Sequence, residues 1–171
     1  MRKLKKIFYV VIRNLISILD GINNRFFTTL YYRYLKHIGV KFSGRPNYIA
    51  SSAYIDGQGY SLITIGKDVV VSREAMLLTH DFSIENALHS IGCGTEDRSK
   101  HLNLPIFIGD NSFIGARASL LPGAHIGKNC IVGACAVVKG TVPDNSVVIG
   151  NPCKIIGLTT ELGEKYRKIQ M

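Results

Sequence analysis

The 171 residues are 46% hydrophobic and 19% charged, enough material for one folded domain with an appendage and too apolar for a disordered chain. The net charge of +9 points to an anionic partner: nucleic acid, a membrane surface or a polyphosphorylated small ligand. With no Trp, seven Phe and no aromatic platform interleaved with Arg, nucleic acid is set aside.

Residues 1–39 open basic, with Arg2, Lys3, Lys5 and Lys6, and then turn apolar. Arg13, Asn14 and Asp20 interrupt the apolar stretch and no small-residue cleavage site follows it, so a signal peptide is not expected. A spanning helix needs roughly twenty apolar residues, and no such run exists. Leu15, Ile18, Leu19 and Ile22, then Phe27, Leu30, Tyr31 and Tyr34, recur at spacings of three and four. These predict one or two amphipathic helices in an N-terminal segment spanning 1–46. Two compatible roles follow: a cap over the open end of the next segment, or peripheral docking of residues 1–39 on an anionic membrane.

From Ile108 onward an aliphatic residue returns every six positions: Ile108, Ile114, Leu120, Ile126, Val132 and Val138. Small residues, Ser112, Ala118, Ala124, Cys130 and Ala136, sit two places before each next aliphatic one. Six is not a helical period, but it contains the alternation of a short strand. Each hexad reads as a strand with small and aliphatic residues inward, followed by a turn. Gly and Asn suit the turns, with Asn111 and Asn129 at equivalent positions. Such strands bury their inner faces only by stacking, and hexapeptide repeats are a signature of the parallel β-helix. Ile49, Ala53 and Ile55 suggest an opening coil, and Ile65, Val71 and Leu77 restore the spacing. The predicted fold is an all-β solenoid over 47–157.

Ile65 and Ile108 are 43 residues apart. One three-sided turn accounts for eighteen, so about 25 residues, 83–107, leave the coil. An excursion that long in a compact domain carries function or is disordered. It is thrown out beside the coil bearing Thr79, His80 and Asp81. Gly150 and Pro152 end the repeat, and Thr160 starts a short basic helix in a tail over 158–171. Cys93, Cys130, Cys135 and Cys153 form no C-x-x-C, and no His pair is spaced for zinc. They read as reduced thiols of a cytoplasmic protein, and no metal is expected.

Taken together, the hexads, LLTHDF (77–82), LNLPIFIGDNSFIG (102–115) and VPDNSVVIGNPCKIIG (142–157) resemble the hexapeptide-repeat acyltransferases. The likeness is to the maltose, galactoside and nodulation-factor acetyltransferases and to relatives that O-acetylate bacterial surface polysaccharides. It covers roughly 48–157. It implies a left-handed parallel β-helix, a homotrimer and acetyl-coenzyme A as co-substrate in a groove between subunits. The implied activity is acetyl transfer to a sugar hydroxyl, in bacterial surface polysaccharide biosynthesis.

By motif position the resemblance makes His80 the catalytic base. Histidine titrates near neutrality, at about pH 6.5, and so can take a hydroxyl proton as the oxygen attacks the thioester. The group orienting its second nitrogen stays open among Asp81, Glu85 and a backbone carbonyl. Asp81 is adjacent, but successive strand residues face opposite ways. His101, like His89, is an acceptor-contact candidate in the excursion, whereas His125 points outward. The resemblance also puts Phe113, Ala116, Ala134 and Lys139 along the pantetheine arm, and Asn151, Pro152 and Lys154 near the nucleotide.

The basic, apolar N-terminal segment departs from the acidic one of maltose-type enzymes. It favours a lipid-carried or polymeric sugar acceptor at the inner face of the membrane over a free small sugar. Serine, aminosugar and antibiotic acetyltransferases share the fold, as do the zinc-binding γ-carbonic anhydrase relatives. A non-catalytic scaffold is the remaining alternative.

Overall fold

Where a hexad places an aliphatic residue second in a two-residue strand, its neighbour faces out and the aliphatic side chain faces in. The computed structural model, which describes residues 2–96 and 102–170, shows this rung by rung. Val71, Leu77, Ile108, Ile114, Leu120, Ile126, Val132 and Val138 are all fully buried. Each such side chain contributes about 1.5–3 kcal/mol of burial.

The strands assemble into three faces that the chain visits in rotation. The first face contains Lys41–Phe42, Ile63–Ile65, Ile106–Ile108, His125–Ile126 and Thr141–Val142. The second contains Tyr48–Ile49, Val70–Val71, Phe113–Ile114, Ile131–Val132 and Ser146–Ile149. The third contains Tyr54–Ile55, Met76–Leu77, Ser119–Leu120 and Val137–Val138. All pairings among these strands are parallel. Phe113 pairs with Ile131 and Ser119 with Val137, three hexads on. The chain is therefore a three-sided parallel coil.

The corners explain the non-aliphatic part of the repeat. At the corner between the first and second faces, Asp68, Asn111, Asn129 and Asn145 all take φ of 53–56° or 59°. Asn tolerates this left-handed region better than most residues. The asparagines also bond along the stack: Asn111 Nδ2 donates to Asn129 Oδ1 at 2.9 Å, and Asn129 Nδ2 to Asn145 Oδ1 at 3.0 Å. Glu74, Arg117 and Cys135 hold the same conformation at the next corner.

Three boundaries differ from the sequence reading. The coil starts at Lys41, because Lys41–Phe42 pairs with Thr64–Ile65. A single two-residue rung offers no period to read. The first face resumes at Ile106, which pairs with Ile63, so Ile106 and Phe107 belong to the coil and not to the excursion. Finally, Lys154–Leu158 does not extend the coil. It folds back antiparallel on Ser146–Ile149 and leads directly into helix Thr159–Gln170.

Helix α1 (Arg2–Ser17) and helix α2 (Asn24–Ile38) precede the coil. The Asn23 side chain caps α2 by accepting from Phe26 N at 3.0 Å, and Gly39 ends it in the left-handed conformation. Phe27, Tyr31, Tyr34 and Leu35 of α2 are buried in the same core as Val40, Ile49 and Ile63. Helix α2 thus packs on the opening rungs of the coil. Tyr9, Ile12, Ile16 and Leu19 pack less deeply on that core.

Candidate active site

The third-to-first corner is where the repeat is broken, and His80 stands there. In later rungs the corner is a simple turn through Gly123 or Gly140, both at positive φ. In earlier rungs the chain makes excursions: Asp56 to Leu62 in one, Thr79 to Pro105 in the next. Ile55 pairs with Leu77, which sets Asp56 one rung from Thr79 and His80.

Asp56 is fully buried and wholly engaged. Its Oδ2 accepts from Thr79 N at 2.9 Å, from Thr79 Oγ1 at 2.7 Å and from His80 Nδ1 at 2.5 Å. Its Oδ1 accepts from Gln58 N at 3.1 Å, a local Asx turn at Asp56-Gly57. Burial pushes the carboxyl pKa up, but the Thr79 hydroxyl, the Gln58 and Thr79 amides and His80 outweigh it. The group is held below the usual carboxylate range. Gly59 closes against this site, since a side chain there would collide with the Thr79 hydroxyl. A carboxylate facing Nδ1 places the imidazole proton on Nδ1 and makes Nε2 the basic nitrogen. The His80 side chain remains 17% exposed, with the edge of Phe82 against it at 5.1 Å between ring centres.

The residues expected to orient His80 do other work. Asp81 Oδ1 accepts from Ser83 N at 2.8 Å, at the start of helix α3 (Ser83–Ser90). The Ser83 side chain and that bond lower the Asp81 pKa, with a smaller contribution from Lys139. Glu85 is buried inside the excursion, where its Oε1 accepts from Thr95 Oγ1 at 2.6 Å and from Thr95 N. Its role is to hold Thr95 to α3. His101 lies outside the described residues. Sequence reasoning missed Asp56 altogether. Asp-Gly after the aliphatic Ile55, one rung before LLTHDF, was the signal available. The excursion itself is tied to the corner: His80–Asp81 pairs antiparallel with Leu102–Asn103, and Leu104 N donates to Thr79 O at 2.9 Å.

The residues placed on the cofactor track do not share one corner. Ala116 and Ala134 stack at the second-to-third corner, linked through Cys135 N to Ala116 O at 2.9 Å. Asn151 and Pro152 reach the same corner, because Gly150 O and Cys153 N bond Val137 at 2.9 and 3.0 Å. Lys139 sits at the third-to-first corner with His80. Phe113 stands outward on the second face, and Lys154 opens the fold-back strand, exposed. His125 stacks on Phe107 at 4.6 Å and plays no part in either group. Among the described residues, no three His, Cys, Asp or Glu side chains gather as a metal set.

Beside the Asp56 turn is a cleft of about 300 Å³ between α1, α2 and the coil. Tyr9, Arg13, Tyr34, Tyr54, Gln58 and Tyr60 line it along with Asp56. Burial pushes the phenols of Tyr34 and Tyr60 above their ordinary pKa, so both stay neutral donors. A larger groove of about 530 Å³, among Arg25, Arg45 and Lys67, lies at the first-to-second corner, away from His80.

A stacked hexad coil with a histidine and a long excursion at one corner defines a class, the hexapeptide-repeat proteins. Residues 105–140 of this chain match the bacterial transferase hexapeptide model, of six repeats. The chain is 33% identical over 128 residues to YJL218W of Saccharomyces cerevisiae, provisionally an acetyltransferase, covering 73% of this chain and 64% of that one. It is 29% identical over 106 residues to WbbJ of Escherichia coli K12, provisionally a lipopolysaccharide biosynthesis O-acetyl transferase. That match covers 60% of this chain and 54% of WbbJ. The chain thus spans less than two thirds of the length of either of these relatives. Among solved structures, it superposes with TM-score 0.56 on a galactoside acetyltransferase in complex with coenzyme A. That likeness covers 85% of this chain and 78% of the other at 21% identity, and speaks to the fold alone.

Proposed function

We propose that this protein is an acetyl-coenzyme A-dependent O-acetyltransferase that acts on a sugar hydroxyl in bacterial surface polysaccharide biosynthesis. The observation that carries it is the Asp56–His80 pair at the corner from which the excursion leaves. A left-handed winding of the coil is part of this reading, supported by the hexads and the likeness in fold to hexapeptide-repeat acetyltransferases.

Asp56 holds the Nδ1 proton, and His80 Nε2 accepts the proton of the acceptor hydroxyl as that oxygen bonds to the acyl carbon. The proton then passes to the departing thiolate, so His80 returns to its starting state. Asp56 steadies the imidazolium in between without becoming protonated itself, as in other carboxylate-histidine pairs. The cleft of tyrosines with Arg13 and Gln58 suits a hydroxyl-rich ring, which takes hydrogen bonds at its rim and rests its apolar face on aromatic carbon. Ala116 and Ala134 offer a narrow, small-residue corner for a slender chain. Lys139 and Lys154 supply point charges for phosphates. The small-residue corner and the His80 corner are different corners of one chain. A homotrimer, in which one copy's second-to-third corner adjoins its neighbour's His80 corner, would unite them.

The test is thiol release from acetyl-coenzyme A, with a panel of sugars, nucleotide sugars and glycan fragments, by the wild type and His80→Ala. Acceptor-dependent release that falls about 10²–10⁴-fold in the variant supports the reading. Release that survives in His80→Ala removes this residue from the chemistry.

A further inference from the structure

Helix α1 has more apolar surface than its packing on the core requires. Tyr9, Ile12 and Ile16 lie on one side of it and pack on the core. Ile7, Phe8, Val11 and Leu15 lie on another, at spacings of one, three and four, and each is half or more exposed. The stripe continues past the end of the helix through Ile18, Ile22 and Phe26, also more than half exposed. A helix that only covered a coil end would present polar residues to water on that side. Seven exposed large apolar side chains in one short segment are instead the mark of an interaction surface.

Charge identifies the partner. Residues 1–39 hold eight of the 21 Lys and Arg and a single acid, Asp20, of the twelve. This segment alone therefore supplies a surplus of seven of the net nine. Asp20 is turned toward the coil, where it accepts from Tyr48 Oη at 2.9 Å and from Ser51 Oγ at 2.6 Å. Four of the basic residues, Arg2, Lys3, Lys5 and Lys6, occupy the first turns of α1, just ahead of the stripe. Apolar stripe and basic turns on one helix are the composition of an element lying in an anionic bilayer interface. Among the described residues no helix is long and apolar enough to cross a membrane, so α1 would lie on one.

We propose that the Ile7–Phe8–Val11–Leu15 face of α1 docks this protein on an anionic membrane surface, while the Tyr9–Ile12–Ile16 face of the same helix packs on α2 and the core. The proposal does not depend on the acetyl-transfer reading. If both hold, docking has a consequence, since Arg13 of α1 lines the cleft beside Asp56. A membrane at the outer face of α1 would then lie close to the acceptor side of the site.

The test uses the full chain and sedimentation with vesicles of phosphatidylcholine alone or mixed with phosphatidylglycerol. The wild type is expected to bind the mixed vesicles preferentially, with the preference lost at high salt. Val11→Gln with Leu15→Gln keeps good helix formers on the exposed side and should weaken binding about tenfold or more. Lys3→Gln with Lys6→Gln should abolish the preference for the anionic lipid and leave the melting temperature unchanged. If the stripe variant melts early, the charge variant decides. Equal binding of wild type and both variants overturns the proposal. So does a wild type that binds neither vesicle, or a stripe variant that changes the oligomeric state without changing vesicle binding, which would assign the stripe to a second copy.

Discussion

Asp56 Oδ2 and His80 Nδ1 lie 2.5 Å apart across 24 residues of sequence, joined because consecutive rungs of the coil stack there. The same oxygen takes the Thr79 amide and hydroxyl, so the carboxylate is fixed before any ligand arrives. A carboxylate that only accepts leaves the imidazole one arrangement, with its proton on Nδ1.

Asp56→Asn tests this at one atom. The amide keeps the size of the carboxylate but can turn its NH₂ toward Nδ1, which favours the other tautomer and removes the basic lone pair from Nε2. The expected result is a fall in kcat of about 10–100-fold with little change in KM for either substrate. Unchanged kcat would mean that Asp56 serves only the fold. A drop in the melting temperature without a drop in kcat would say the same.

The depressed pKa of Asp56 also has a sign for stability. A carboxyl whose folded pKa lies below its unfolded value, near 3.9, stabilises the folded protein above that value. The contribution is lost as pH falls through the folded value. Wild type should therefore exceed Asp56→Asn in urea midpoint by a constant margin from neutral pH down to about 4. Below that the two should converge. A margin that persists undiminished at pH 2 would assign the effect to packing, not ionisation.

How far the sequence revealed this depends on whether a signal is periodic. Ile108 to Val138 could be read residue by residue, because every hexad repeats one local choice, an inward aliphatic followed by a turn. Lys41–Phe42 and Lys154–Leu158 could not. The first is a single rung, and the second departs from the parallel order by folding back on Ser146–Ile149. That His80 stands at the corner from which the excursion leaves was legible through its motif. Its partner was not, because Asp56 and His80 are neighbours only after the rungs stack. Nearby acids drew attention for the wrong reason: Asp81 is spent on the start of α3, and Glu85 on Thr95.

The cleft beside Asp56 makes the last prediction, which separates acceptor binding from chemistry. Arg13 and Gln58 line its wall together with Tyr54 and Tyr60, yet neither appears among the partners of Asp56's reactive side. Gln58 meets Asp56 through its backbone amide, so changing its side chain leaves that bond in place. If the acceptor lies here, Arg13→Ala and Gln58→Ala should each raise acceptor KM about three- to tenfold, the loss of one hydrogen bond in a partly solvated site. KM for acetyl-coenzyme A and kcat should hold, because the lost contact is the same in ground and transition states. The double variant should show roughly the product of the two effects, provided the side chains touch different parts of the ring. If both variants leave acceptor KM unchanged and His80→Ala still abolishes transfer, the acceptor approaches His80 from the excursion side. The tyrosine cleft would then belong to the packing of α1 and α2 on the coil.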